Sequence, residues 1–119
     1  MQQMHDAVIV GGGPAGASCA LWLARLGLSP LLVEASARLG GLGNDNPFAD
    51  DWIAVLPGVT GQQVAANIDA SVRAAGVPLR LETRVTGVLP CKGGIQATLT
   101  GPDGSQTPVR GRTLVIASG

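Results

Sequence analysis

Three glycines and one acid near the start of the chain have the residue types and spacing for chemistry. Gly11, Gly13 and Gly16 follow the spacing G-x-G-x-x-G, and Glu34 lies 18 residues beyond the last of them. Such a run suits a diphosphate. Gly11 permits a tight turn, Gly13 brings no side chain between the backbone and a ligand, and Gly16 lets the following segment pack closely. A helix starting there offers free N–H groups and a partial positive charge to the phosphates. Pro14 costs nothing in the first turn, where its missing N–H would have had no partner. The Glu34 carboxylate is suited to accept both hydroxyls of a ribose, and a hydrogen bond to a charged group is worth about 1.5–3 kcal/mol. The same charge repels a 2′-phosphate, so the site should not prefer NADP. Glycines alone are weak evidence, because a glycine-rich turn also occurs with no ligand.

The flanking residues supply the context. Ala7-Val8-Ile9-Val10 reads as a short buried strand entering the glycine turn. Ala15 to Leu26 is apolar nearly all round, which predicts a helix buried on more than one side. Gly27 ends it, and Ser29-Pro30 leads into the strand Leu31-Leu32-Val33, whose unbroken apolar character suits a parallel strand covered on both faces. Strand, glycines, helix and acid together are the dinucleotide-binding arrangement, with Glu34 at the carboxyl end of the second strand.

Composition narrows the remaining classes. A chain of 119 residues holds one core, and with 45% apolar and 3% aromatic residues that core is aliphatic. Charged residues make up 13% and the net charge is zero, which argues against a nucleic-acid partner and suggests that part of the surface is covered by further sequence or by a partner, a homodimer included. No apolar run reaches the ~18–20 residues that span a bilayer, and Met1 to Asp6 lacks the pattern of a signal peptide; the expectation is a cytoplasmic protein with no membrane partner. Cys19 and Cys91 have no metal-ligand or CxxC spacing and read as free thiols, Cys19 as a small core residue. His5, the single histidine, reads as a solvated residue in a frayed tail. No metal site or triad can be built from it.

Beyond Glu34 the chain is irregular as far as Trp52, with Gly40-Gly41, Gly43, Asn44, Asp45, Asn46 and Pro47 as turn formers. This is either a surface loop or a loop lying along a ligand, with Trp52 as a plug at its far end. Thr60 and Gln63 form a capping box for a helix from about Gly61 to Ala75, whose apolar stripe is Val64, Ala65, Ile68, Val72 and Ala75. Val77 to Val85 reads as a third strand. Then Val85 to Leu89, Ile95 to Thr100 and Pro108 to Arg110 read as a β-meander, and Thr113 to Ala117 as a last buried strand.

Taken together, these motifs resemble the FAD-binding part of the pyridine nucleotide-disulfide oxidoreductase superfamily, most closely the thioredoxin-reductase-like branch. The resemblance rests on Gly11-Gly12-Gly13-Pro14-Ala15-Gly16, on Glu34 followed by Gly40-Gly41, on Leu56-Pro57-Gly58 before Thr60-Gly61, and on Leu114-Val115-Ile116-Ala117-Ser118-Gly119. It implies an α/β fold: a Rossmann-like FAD-binding domain over residues 1–119, with a parallel sheet, flanking helices and a β-meander. It also implies roles. Gly11, Gly13 and Gly16, with backbone at Pro14 and Ala15, would cradle the FAD diphosphate. Glu34, with the adjoining Ala35, would hold the adenosine ribose. Gly40, Gly41 and Leu42 would pass beside the flavin-proximal half, backbone at Val85 would meet the adenine, and Ser118-Gly119 would sit near the diphosphate. Asn44 or Asn46 would approach the isoalloxazine, although this loop is a few residues longer than in typical thioredoxin reductases.

The departures matter equally. Leu42 to Asp51 holds no redox cysteines, and the CxxC-bearing NADPH domain and the C-terminal return of that family are absent. The expectation is therefore an incomplete FAD-binding segment of a longer flavin-dependent oxidoreductase that passes electrons from NAD(P)H, bound outside this chain, to a disulfide or similar acceptor. The segment alone should be inactive and carries no catalytic residue. A flavin monooxygenase or hydroxylase shares the opening motif, and a non-enzymatic module that binds NAD or nothing is the remaining alternative.

Overall fold

A computed structural model of the chain describes residues 3–51 and 53–119; Trp52, expected as a plug, lies outside them. The first strand, β1 (Met4–Val10), leads into helix α1 (Pro14–Arg25) and strand β2 (Pro30–Val33). A short 3-10 helix (Gly41–Asp45) follows, then a two-stranded antiparallel ribbon of β3 (Ala49–Asp50) and β4 (Val59–Thr60), helix α2 (Gly61–Ala74) and β5 (Leu79–Arg80). Strands β6 (Arg84–Cys91), β7 (Gly94–Thr100) and β8 (Gln106–Ile116) complete the order. The main sheet runs β5-β2-β1-β8-β7-β6. Its first four strands are mutually parallel, while β7 is antiparallel to both of its neighbours. This is the expected α/β arrangement, with a parallel sheet and a meander.

Side-chain alternation along the central strands explains the two layers. Ala7 and Ile9 of β1 and Leu32 of β2 pack on one face with Ala17, Ala20 and Val72 of the helices. Val8, Leu31 and Val33 point the other way, to Ala97, Leu99 and Val109 of the meander. Successive strand residues face opposite sides, so a run apolar at every position needs a cover on both, and here helices supply one and the meander the other.

α1 begins on Pro14 with Gly13 at its N-cap. Its small residues Gly16, Ala17 and Ala20 are buried against the sheet, and Cys19 packs at the edge of the same cluster. The outer face differs from expectation: Trp22 and Leu26 are each 67% exposed. Small residues bring the helix close on one side, and nothing among the described residues covers the large ones on the other. In α2 the capping box forms as read: the Gln63 N–H donates to Thr60 Oγ1 at 3.1 Å and the Thr60 N–H to Gln63 Oε1 at 2.7 Å.

Three further readings are corrected. The strand expected from Val77 to Val85 is broken after Arg80, because Glu82 takes a left-handed φ of 50°; its N–H donates to the Ser36 carbonyl and that of Thr83 to the Glu34 carbonyl. The two strands expected at 108–110 and 113–117 are one, β8. Residues Gln106 to Gly111 of β8 pair with β7, and Arg110 to Ile116 pair with β1. Each half finds a ladder of its own, and Gly111 is where the two meet. Finally, His5 lies inside β1 opposite Gly111 rather than in a tail. Burial pushes its pKa below the ordinary 6.5, with Asp6 acting the other way.

Candidate functional site: a cleft at the glycine turn

The carboxyl ends of β1, β2 and β8 open onto a cleft of about 900 Å³. In open α/β sheets this is where ligands bind. Four stretches of the chain build it. Gly11, Gly13, Pro14 and Ala15 form the floor at the start of α1, Glu34 and Ser36 stand at one end, Gly40, Gly41 and Leu42 form a wall, and Ala117, Ser118 and Gly119 close the back. Asn46, Ile53 and Val64 continue the lining away from Glu34.

Each glycine has a distinct reason to be a glycine. Gly11 has φ 109°, and a Cβ there would run into the Ala117 carbonyl. The two are drawn together because the Ala117 N–H donates to the Val10 carbonyl at 2.8 Å. A Cβ on Gly16 would collide with the Gly11 carbonyl, so Gly16 sits behind the turn and does not line the cleft. Gly13 is different: a Cβ there would meet nothing nearer than Gly41 Cα at 3.8 Å. A Cβ would be tolerated there, so the protein's own packing does not require a glycine at this lining position.

Gly12, which sequence reasoning did not single out, is the hinge of the site. Its N–H donates to Glu34 Oε1 at 2.8 Å, its carbonyl accepts from the Gly40 N–H at 2.8 Å, and a Cβ on it would strike Leu39. The unbroken run of three glycines was the one available signal. The Ser36 N–H donates to Glu34 Oε2 at 2.7 Å, so both carboxylate oxygens are oriented by backbone. Burial pushes the Glu34 carboxyl upward, but the N–H groups of Ser36 and Gly12 outweigh it and leave its pKa below the ordinary 4.5. The carboxylate is ionised at neutral pH and keeps lone pairs for a ligand.

Among the described residues, Glu34 is the one charged side chain lining the cleft. An anion there meets no arginine or lysine from the lining, and the N-terminus of α1, with no acidic residue in its first turn, is the positive element available. Among the described residues no cluster of His, Cys, Asp and Glu suits a metal, both cysteines are free, and no helix is long and apolar enough to cross a membrane.

Ala35 and Val85, both expected at the ligand, are not among the lining residues. Ala35 lies between Glu34 and Ser36, which are, and Val85 packs against the meander-side core. Of the two asparagines, Asn46 lines the cleft and Asn44 does not.

The model of the pyridine nucleotide-disulphide oxidoreductase family matches residues 5–119. An alkyl hydroperoxide reductase protein of Staphylococcus aureus is 30% identical over 118 residues, which are 99% of this chain and 22% of that protein. The chain thus spans about a fifth of the length of that relative. In three dimensions the chain superposes on a T. acidophilum thioredoxin reductase with a TM-score of 0.84, at 23% identity, over 99% of this chain and 36% of that one. An L-proline dehydrogenase from P. horikoshii gives 0.85, also at 23% identity, over 99% and 23%. Two differently named enzymes thus share this fold, and the fold alone does not identify an electron acceptor.

Proposed function

Because the chain belongs to the pyridine nucleotide-disulphide oxidoreductase family, we propose that its cleft binds FAD, with the diphosphate on the N-terminus of α1 and the adenosine ribose on Glu34. One observation carries this reading: Gly13, which would accept a Cβ without a clash, lines the same cleft into which backbone N–H groups hold an ionised Glu34. The Gly11 turn and the first N–H groups of α1 bind and neutralise the diphosphate. The Glu34 carboxylate selects free ribose hydroxyls over a 2′-phosphate. Ser118 and Gly119 close the diphosphate end, and Gly40, Gly41 and Leu42 lie along the half nearer the flavin. Backbone at Ala35 and Val85 reaches the adenosine only if the ligand extends past the cleft's present lining.

Bound there, FAD supplies two-electron transfer. The described residues contribute binding and orientation. The whole protein passes electrons from NAD(P)H to a disulfide or similar acceptor, with the nicotinamide site and the acceptor chemistry outside these residues; this stretch alone does not turn over.

Titration of the chain with FAD, followed by quenching of flavin fluorescence, tests the reading. Saturable binding that Gly13→Val abolishes and Glu34→Ala weakens is the expected result. A Gly13→Val protein that binds FAD as the wild type does overturns it.

A further inference from the structure

Gly40 and Gly41 have successive positive φ angles, 112° and 64°. Glycine reaches that conformation readily, and leaves it as readily unless something fixes it. No side chain is available at either position to do so. On one side the pair leans on the glycine turn: the Gly40 N–H donates to the Gly12 carbonyl, and a Cβ on Gly41 would lie 3.3 Å from Gly13 Cα. On the other side a Cβ on Gly40 would collide with Ala65 of α2. What closes the arc is Asn44. Its side-chain amide donates to the Leu39 carbonyl at 2.9 Å and to the Gly41 carbonyl at 3.1 Å, bridging the two residues that flank Gly40. An amide has two donor hydrogens, and both are used.

We propose that Asn44 is a positioning residue for the cofactor's diphosphate: it does not line the cleft, but holds Gly41 packed against Gly13 and so fixes the cleft wall beside the glycine turn. Leu39 works with it. Buried to 2% exposure, Leu39 fills the space over Gly12 on its side-chain end while its carbonyl anchors the Asn44 amide, so the wall and the turn move as one body. Asn44 borders a separate hollow with Arg38, Gln62 and Arg73, outside the cleft. Its effect on a ligand must therefore pass through Gly41. Aspartate at 44 keeps the size, removes both donors and sets a negative charge against two carbonyl oxygens.

This inference rests on the FAD reading, and the test separates the two. The 119-residue chain and its Asn44→Asp variant are titrated with FAD, by fluorescence quenching, and with AMP, by calorimetry. AMP carries the ribose that Glu34 would hold but only one of the two phosphates of FAD, and no flavin half. Loss of one bridging interaction predicts FAD binding weakened about tenfold with AMP binding changed by less than about twofold. Equal losses for both ligands mark a merely structural residue and overturn the proposal, as does unchanged FAD binding. A wild-type chain that binds AMP but not FAD overturns the FAD reading itself, and this proposal with it. Should the variant not fold, proton exchange in the wild-type chain decides: Asn44 side-chain amide protons that stay protected while FAD shifts the Gly41 resonance support the latch, and protons that exchange like those of a free asparagine refute it.

Discussion

Glycines that look alike in the sequence do opposite work. At Gly16 a Cβ would strike the Gly11 carbonyl, and backbone cannot step aside cheaply. Gly16→Ala should therefore destabilise the fold by about 2 kcal/mol or more, in the range for overpacking, lowering the melting temperature whether or not FAD is present. At Gly13 the nearest atom to an added Cβ is 3.8 Å away, so Gly13→Ala should leave the melting temperature of the free chain nearly unchanged and remove the stabilisation that FAD confers. Calorimetry with and without FAD separates the two. Glu34 adds a pH signature. Its folded pKa lies below the ordinary 4.5, so the stability it contributes is complete above that value and is lost as pH falls through the lower folded value. FAD affinity and stability should both be flat across neutral pH and decline only in acid, and Glu34→Gln should blunt that decline in a pH series of thermal melts. The spacing of Gly11, Gly13, Gly16 and Glu34 was legible in the sequence because it is a local pattern. The role of Gly12 was not, because it depends on Leu39 and Gly40, brought over it by the fold.

At the scale of elements, local signals read true and long-range ones did not. The Thr60–Gln63 capping box, with both of its hydrogen bonds within one helical turn, was written in the sequence, and Thr60→Ala should cost about 1 kcal/mol, read as a lower urea midpoint with unchanged slope. The strand expected at Val77 to Val85 failed because alternation continues through Leu81 and Thr83 while Glu82 turns left-handed, a conformation that costs a residue with a Cβ. The N–H groups of Glu82 and Thr83, paired with the Ser36 and Glu34 carbonyls, hold it there. Likewise β8 reads as two strands because Gly111 and Arg112 look like a break; its continuity depends on β1, at the far end of the chain, as much as on the neighbouring β7. Gly94 packs against that junction, where a Cβ would collide with the Gly111 carbonyl. Gly94→Ala should loosen the β7–β8 ladder, seen as faster amide exchange at Ile95 to Ala97 than at β1.

At the scale of the molecule, several large apolar side chains face solvent. Trp22, Leu26 and Ile116 are 67%, 67% and 74% exposed, on a chain with zero net charge and a pI near 6.5. Low net charge weakens the repulsion that keeps proteins apart, and exposed large apolar side chains favour association. The isolated chain should therefore associate with rising concentration near pH 6.5 and bind a hydrophobic dye. Trp22→Lys with Ile116→Lys should suppress both in light scattering while leaving FAD affinity intact, since neither residue lines the cleft.

The run of β8 from the meander to the back of the cleft has a temporal side. Gly11 leaves the ribosome well ahead of Ala117, by about 5 to 20 seconds at ordinary elongation rates. Throughout that interval the turn has no Ala117 N–H on the Val10 carbonyl and no rear wall. On the proposed reading the cleft for flavin is complete only once β8 has docked, so firm uptake of the cofactor should follow synthesis past Ala117.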